Sequence, residues 1–158
     1  MPLFKNRPIT SQPSSVNTIA GFYGVKGTLL QRQYMDHLSE FNSWEQKSHA
    51  NQWLLFSENI GEYLSIDETA FTNGELYTIV TNKTAKGKKA ALVAMVKGTK
   101  AETVIRILLK IPIGKRNKVK EVTLNMAGNM GLIVKKSFPK PTRVIDRFHA
   151  QKLVTEAI

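Results

Sequence analysis

The residue whose type and position could best support chemistry is Asp67, which follows the apolar segment 63–66. A carboxylate at the end of a buried strand is costly unless it has a partner or a cation. Carboxylates are the ligands that Mg²⁺ prefers, and an oxygen shared by two such ions serves phosphoryl transfer. The adjacent Glu68 points to the opposite face of a strand, so it is a poor co-ligand. A role for Asp67 as a cap of the following turn is equally compatible with the sequence.

Positive charge is concentrated in the middle of the chain. The 158 residues carry a formal net charge of +11, and residues 83–120 contain 12 basic residues and one acidic residue. Such a segment indicates a polyanionic partner, most often nucleic acid, with a solvated surface as the alternative. Within it, the loop 83–89 is the candidate contact, through Lys83, Lys86, Lys88 and Lys89. We expect the second cluster, 115–120, at the end of the sheet opposite Asp67.

Several classes of protein are excluded by composition. The chain has no cysteine, which excludes disulfides, thiolate zinc sites and cysteine nucleophiles. It has no run of ~20 apolar residues for a membrane span, and its N-terminus has no secretory signal, so we expect a cytoplasmic protein. Of the three histidines, His149 follows Asp146, Arg147 and Phe148, and together with Arg147 it could hydrogen-bond a phosphate or orient a metal cluster. A structural histidine at a strand end is the alternative.

The elements that must position these residues follow from hydrophobic periodicity. The first ~20 residues, with three prolines, indicate an extended arm, and Leu30, Tyr34, Leu38 and Phe41 predict a helix over about 28–42. Strands are predicted at 63–67, 75–81, 90–96, 119–126 and 143–148. Helices are predicted from a capping box at Thr99 and Glu102 to Pro112, over 127–138, and from Ala150 onward.

The order of these elements is β-β-β-α-β-α-β-α. Three strands of an antiparallel meander are followed by two right-handed crossovers that add parallel strands. The simplest result is a mixed five-stranded sheet of order 3-2-1-4-5, in which strand 2 is antiparallel and helices cover both faces. This α/β layout is that of an RNase H-like sheet, preceded by a helical N-terminal region. We expect 1–52 to form the arm and helical region and 53–158 the RNase H-like domain.

Four ordered motifs resemble one family. The segments 65–69 (SIDET), 73–83 (NGELYTIVTNK), 121–127 (EVTLNMA) and 144–153 (VIDRFHAQKL) resemble the catalytic domain of bacterial DDE-type insertion-sequence transposases. The resemblance runs from about Trp53 to the last residue. It implies an RNase H-like fold, DNA as partner, and Mg²⁺ or Mn²⁺ held by two aspartates and a glutamate. The implied activity is DNA strand cleavage and transfer in transposition.

The resemblance assigns catalytic positions individually. The first catalytic aspartate falls on Asp67, which becomes the metal ligand, and the second falls on Asn125. The third acid falls beyond Ile158, so we expect a truncated domain. Asp146 is predicted to lie two strands from Asp67, about 9–10 Å away, which is long for a shared metal.

Two functions from different classes follow. In the first, the chain is a partial DDE transposase domain, inactive because an amide replaces the second carboxylate, and its metal binding is in doubt. In the second, it is a non-catalytic basic domain that binds nucleic acid, and Asp67 is only structural. Whether the chain is an enzyme, and whether it associates with itself, are left open.

Overall fold

The computed structural model describes residues 14–71, 74–125 and 128–146. The chain divides into two compact units, one up to Lys47 and one from Ser48 onward. No helix among the described residues is long and apolar enough to cross a membrane.

The first unit is helical. Helix α1 (Val16–Phe22) begins after Ser15, whose Oγ accepts a hydrogen bond from the backbone N–H of Thr18 at 3.1 Å. Helix α2 (Gly27–Gln33) follows and continues into one π-helical turn over Tyr34–Leu38. Ala20 is the one described residue of this unit that is buried.

Two predictions for this region are wrong. The extended arm was expected to reach about residue 20, but Ser15 caps a helix that begins at Val16, because its hydroxyl satisfies an end N–H group. The regular helix predicted over 28–42 ends as α-helix at Gln33, and its last part is the wider π turn. Lys26 stands at the N-cap of α2 and makes no side-chain capping bond.

The second unit contains six strands and three helices among its described residues. The strands are β1 (Trp53–Leu55), β2 (Tyr63–Ala70), β3 (Leu76–Asn82), β4 (Leu92–Lys97), β5 (Glu121–Leu124) and β6 (Thr142–Ile145). The helices are α3 (Ala101–Leu108), α4 (Ile113–Arg116) and α5 (Gly128–Ser137). The helix predicted from Ala150 lies outside the described residues.

The strands form one mixed sheet of order β1-β4-β3-β2-β5-β6. The meander β2–β3–β4 is antiparallel, whereas β5 pairs in parallel with β2 and β6 in parallel with β5. The prediction of five strands in the order 3-2-1-4-5 is therefore wrong in count, and the observed order differs from it by β1, which is added at the edge beside β4. The extra strand, β1, pairs with the edge of β4. Because β1 has only three residues, hydrophobic alternation cannot identify it.

Both long helices of the sheet unit lie on one face of the sheet. Leu64 and Ile66 of β2 alternate with exposed or half-buried residues, and their side chains join one core cluster with Val104 of α3 and Ile133 of α5. The helix predicted from Ala150 lies outside the described residues, so the expectation that helices cover both faces stays a prediction. Both crossovers step across the sheet in the same direction, so right-handed connections place α3 and α5 on the same side. We call the opposite side the open face.

Arg116 joins the ends of the two helices. Its Nε donates to the carbonyl oxygen of Ile111 at 2.9 Å, and its Nη1 donates to the carbonyl oxygen of Ser137 at 2.7 Å. Carbonyl groups in the last turn of a helix lack partners within the helix, and a cation there also interacts favourably with the helix dipole. A single side chain thus stabilises the segment after α3 and the end of α5.

The core residue at the end of α5 gives a stability test. Phe138 is 2% exposed, so Phe138→Ala should lower the free energy of unfolding by about 3–5 kcal/mol through lost burial and a cavity. Leu132, on the same helix but 42% exposed, is the control, and Leu132→Ala should cost less than about 1 kcal/mol. Urea denaturation followed by circular dichroism measures both. Equal losses would contradict the assignment of the core to this face.

Candidate functional site

The centre of the open face is formed by two neighbouring parallel strands. Ile66 of β2 is paired with Leu124 of β5, so the next residues, Asp67 and Asn125, lie side by side. Side chains alternate along a strand, so both lie on the open face while Ile66 and Leu124 are buried beneath α3 and α5. The Nδ2 group of Asn125 donates a hydrogen bond to Oδ1 of Asp67 at 3.1 Å.

Asp67 lies within a strand and not at its end. β2 continues through three further residues to Ala70, because β3 pairs with it as far as the register Ala70↔Leu76. The expected strand end at Asp67 is therefore wrong. The same Oδ1 oxygen also accepts the backbone N–H of Glu68 at 2.8 Å, so this carboxylate oxygen has two donors.

Asp146 lies in the same row as this pair. β6 is parallel to β5 and its Ile145 is paired with Leu124, and the N–H of Asp146 donates to the carbonyl oxygen of Leu124 at 2.9 Å. The order β2-β5-β6 places Asp146 one strand beyond Asn125 and two strands from Asp67, about 10 Å away at ~4.8 Å per strand. The structure therefore places an aspartate, an asparagine and an aspartate on three adjacent strands.

Lys83 is held against the sheet. Its Nζ donates to Oε1 of Glu121 at 3.1 Å and to Oγ1 of Thr123 at 2.8 Å, both on β5. This side chain was predicted to contact DNA, but it crosses the open face and neutralises a carboxylate. Sequence reasoning missed this contact, although the alternation of Glu121, Thr123 and Asn125 already places all three on one face.

The other predicted contacts are distributed differently. Lys86, Lys88 and Lys89 are exposed in the loop after β3. β3 runs antiparallel to β2, with Asn82 opposite Leu64, so this loop lies at the end of the sheet where β2 begins. The structure therefore does not bring these lysines together with Asp67. Arg147 and His149 lie outside the described residues.

A small polar cluster marks the end of the sheet where β2 finishes. The carboxylate of Glu75 accepts hydrogen bonds from Lys97 and, at 2.9 Å, from the hydroxyl of Tyr77. The Lys97 hydrogen bond, followed by that of Tyr77, lowers the pKa of Glu75, and the bond to Glu75 raises the pKa of both Tyr77 and Lys97. Glu75 and Lys97 are exposed and Tyr77 is half-buried, so the cluster orders the hairpin surface without burying charge.

The chain matches a family of known proteins. The model of the family DDE_Tnp_ISL3, described as a transposase, matches residues 64–158. The match covers more than half of the sequence and all strands of the sheet from β2 onward, so the chain belongs to this family of DDE-type insertion-sequence transposases. It supports a role in DNA transposition, with DNA as the substrate of the family. No curated protein sequence matches the chain.

DDE transposases generally use divalent metal ions, and the donor groups of this chain can be compared with that requirement. Asp67 supplies one carboxylate, but its neighbour Asn125 is neutral and directs an N–H donor at the oxygen that a cation would need. Among the described residues, no group of three or more histidine, aspartate or glutamate side chains could hold a metal ion. These residues do not fit a two-metal centre, whose bridging ligand is a charged oxygen.

The contact of Lys83 can be measured by a double-mutant cycle. Lys83→Met, Glu121→Gln and the double variant should give a coupling energy of about 0.2–1 kcal/mol, the range for exposed ion pairs. Raising the salt concentration should reduce it, because the pair is accessible to ions. The pair Lys100 and Glu102, which form no described contact with each other, is the control. Equal coupling energies in both cycles would contradict the contact between the Lys83 side chain and Glu121 of β5.

Proposed function

We propose that this chain is a transposase domain with an RNase H-like fold that engages DNA but does not cut or join it. The observation that carries the proposal is the hydrogen bond from Asn125 Nδ2 to Asp67 Oδ1. In this proposal a neutral donor occupies the oxygen at which a metal-dependent enzyme needs a cation. The antiparallel meander and two parallel crossovers support the RNase H-like assignment, which we extend over 53–158 because β1 pairs with the sheet.

The roles of the two central residues follow from their chemistry. Asp67 is the position of the first catalytic acid, and Asn125 is the position at which the family has an aspartate. An amide supplies a neutral carbonyl oxygen, so replacing a carboxylate by an amide removes one of the negative charges that attract Mg²⁺ or Mn²⁺. In this proposal Asn125 also satisfies Asp67 directly, because its N–H group takes the place of a cation.

DNA binding is the second part of the proposal. Lys86, Lys88 and Lys89 are exposed on one loop, and positive side chains gain affinity for DNA by releasing the counterions of its phosphates. From the resemblance we also assign phosphate contacts to Arg147 and His149. We leave Lys83 in this set only as a secondary contact, since Glu121 and Thr123 already bind it.

Asn125→Asp tests the proposed metal position. The variant places two carboxylates on adjacent strands, so it should bind Mn²⁺ or Mg²⁺ at least tenfold more tightly than the natural chain in calorimetric titration. The two carboxylates repel each other when no metal is present, so its melting temperature should fall in EDTA and recover with Mg²⁺. The double variant Asn125→Asp with Asp67→Asn is the control. It retains only one carboxylate, so its metal affinity should not exceed that of the natural chain.

Two results would contradict the proposal. One is equal metal affinity for the natural chain and Asn125→Asp. The other is metal-dependent cleavage of plasmid DNA by the natural chain that disappears with Asp67→Ala, which would show that the site is active as it stands.

A non-catalytic basic domain that binds nucleic acid outside transposition is the second candidate. It is favoured by the saturation of Asp67 Oδ1 by Asn125 and by the N–H of Glu68, which is typical of a structural carboxylate. In that case Asn125→Asp should gain no metal affinity, while binding of nucleic acid should still decrease steeply with salt.

A further inference from the structure

Four loops meet at the end of the sheet where β2 begins. The pairs Leu64↔Asn82, Tyr63↔Glu121 and Glu121↔Thr142 bring together the end of β3 and the starts of β2, β5 and β6. The segment after β1 reaches the same end, because Lys115 lies 3.7 Å from Glu58. We call this surface the basic end and define it as residues 57–62, 83–91, 113–121 and 138–141.

Charge at the basic end is strongly unbalanced. These residues include nine lysine or arginine side chains and three glutamates. Each glutamate pairs with one lysine: Glu58 with Lys115, Glu62 with Lys120 at 2.9 Å, and Glu121 with Lys83 at 3.1 Å. The hydrogen bond to Glu62 also raises the pKa of Lys120.

The lysines that remain come from separate loops. Lys86, Lys88, Lys89, Lys118 and Lys140 are exposed, and their side chains form no ion pair or hydrogen bond among the described residues. A cluster of lysines whose nearby carboxylates are already paired has a net field that attracts a polyanion. Because the cluster is built from several loops, no single run of the sequence defines it.

The basic loop after β3 is anchored at its base. The Oδ1 of Asn82 accepts the N–H of Thr84 at 3.0 Å, and its Nδ2 donates to the carbonyl oxygen of Asn59 at 3.0 Å. Asn59 in turn donates to the carbonyl oxygen of Leu92 at 2.7 Å, which closes the loop. Gly61 is required here, because a Cβ at this position would lie 2.6 Å from the Asn82 side chain. The lysines therefore extend from a fixed base.

The opposite end of the sheet has the reverse charge. Among the described residues where β2 and β4 end and α3 begins, together with the residue after β6, five carboxylates accompany two lysines. They are Asp67, Glu68, Glu75, Glu102, Asp146, Lys97 and Lys100. Tyr63 and Asp67 are four residues apart on β2, so the two ends are separated by at least about 13 Å at ~3.3 Å per residue.

We propose that the basic end is a binding surface for the phosphate backbone of duplex DNA, separate from the Asp67–Asn125 pair. The identity of the occupant as DNA rests on the proposed function, whereas the surface itself rests on register and charge. Successive phosphates of one strand advance ~3.4 Å along the helix axis, so 13 Å corresponds to about four steps. The basic end would then hold duplex at least four base pairs from the position above Asp67.

Salt dependence of binding tests the surface. Fluorescence anisotropy with a labelled 20-base-pair duplex gives the slope of log affinity against log salt for the full chain. Lys89→Gln and Lys118→Gln should each lower that slope by about 1 and weaken binding similarly for unrelated sequences, and the double variant by about 2. Lys100→Gln removes the same charge from the opposite end, is exposed like the others, and should leave the slope unchanged.

Several outcomes would overturn the inference. One is an equal loss of slope for Lys100→Gln and Lys89→Gln, since net charge alone would then explain binding. Another is an unchanged slope for Lys118→Gln, since the surface would then not include the second loop. Tighter binding to a duplex RNA or a single strand of equal length would exclude duplex DNA as the preferred occupant. Far-ultraviolet circular dichroism confirms that each variant is folded.

The salt slopes of Lys89→Gln and Lys118→Gln test the basic end independently of the proposed metal position. These measurements do not involve metal. If Asn125→Asp fails to bind Mg²⁺, the proposed metal position is contradicted but the basic end is not. If the lysine variants leave the salt slope unchanged, the basic end is contradicted but the metal position is not.

Discussion

The pairing of β2 with the parallel strand β5 is the constraint on which the rest of the second unit depends. It sets Ile66 against Leu124 in the core and, one residue later, Asp67 against Asn125 on the open face. A slip of one residue would turn the buried side chains outward and separate the polar pair. The core under α3 and α5 therefore holds the site in register, since Leu64, Ile66, Val122 and Leu124 are all buried.

The two faces of the sheet are stabilised by different interactions. The covered face is held by apolar packing and by Arg116, which joins the end of α5 to the segment after α3. The open face instead presents polar side chains bound to one another, with Lys83 on Glu121 and Thr123, and Asn125 on Asp67. Hydrogen bonds between exposed groups contribute little to net stability, so this face can change its partners at low cost.

Much of the sheet was predictable because β2 and β3 are 8 and 7 residues long. The segments of β2, β3 and β5 are predicted as strands, and the antiparallel meander of β2, β3 and β4 follows from the order of the elements. β1 was not predictable, because three residues carry no periodicity, and helix α1 was missed because a proline-rich composition outweighed the capping signal of Ser15. Both errors fall on short elements, where few residues carry the pattern that identifies a strand or a helix.

The candidate site, like the sheet, could be predicted only in part. Asp67 is singled out by its position after an apolar segment and Asn125 only through the resemblance, and the hydrogen bond between them is seen only in the structure. The contact of Lys83 with β5 depends on a side chain that reaches from the end of β3 across β2, which no sequence pattern specifies. The shared location of the loops around Lys89 and Lys118 was accessible in principle, because an antiparallel strand ends where its neighbour begins. From the sequence, only the second loop, 115–120, is predicted to lie at that end of the sheet.

The continuation of β2 beyond Asp67 restricts how any large ligand can reach that carboxylate. Pairing with β3 holds the backbone there, and the hairpin that the two strands form extends past Asp67 toward Ala70 and Leu76. Entry along the strand axis is therefore obstructed by the protein's own ribbon. A nucleic acid would have to descend broadside onto the sheet, so the width of the uncovered surface, and not the depth of a cleft, would decide what fits.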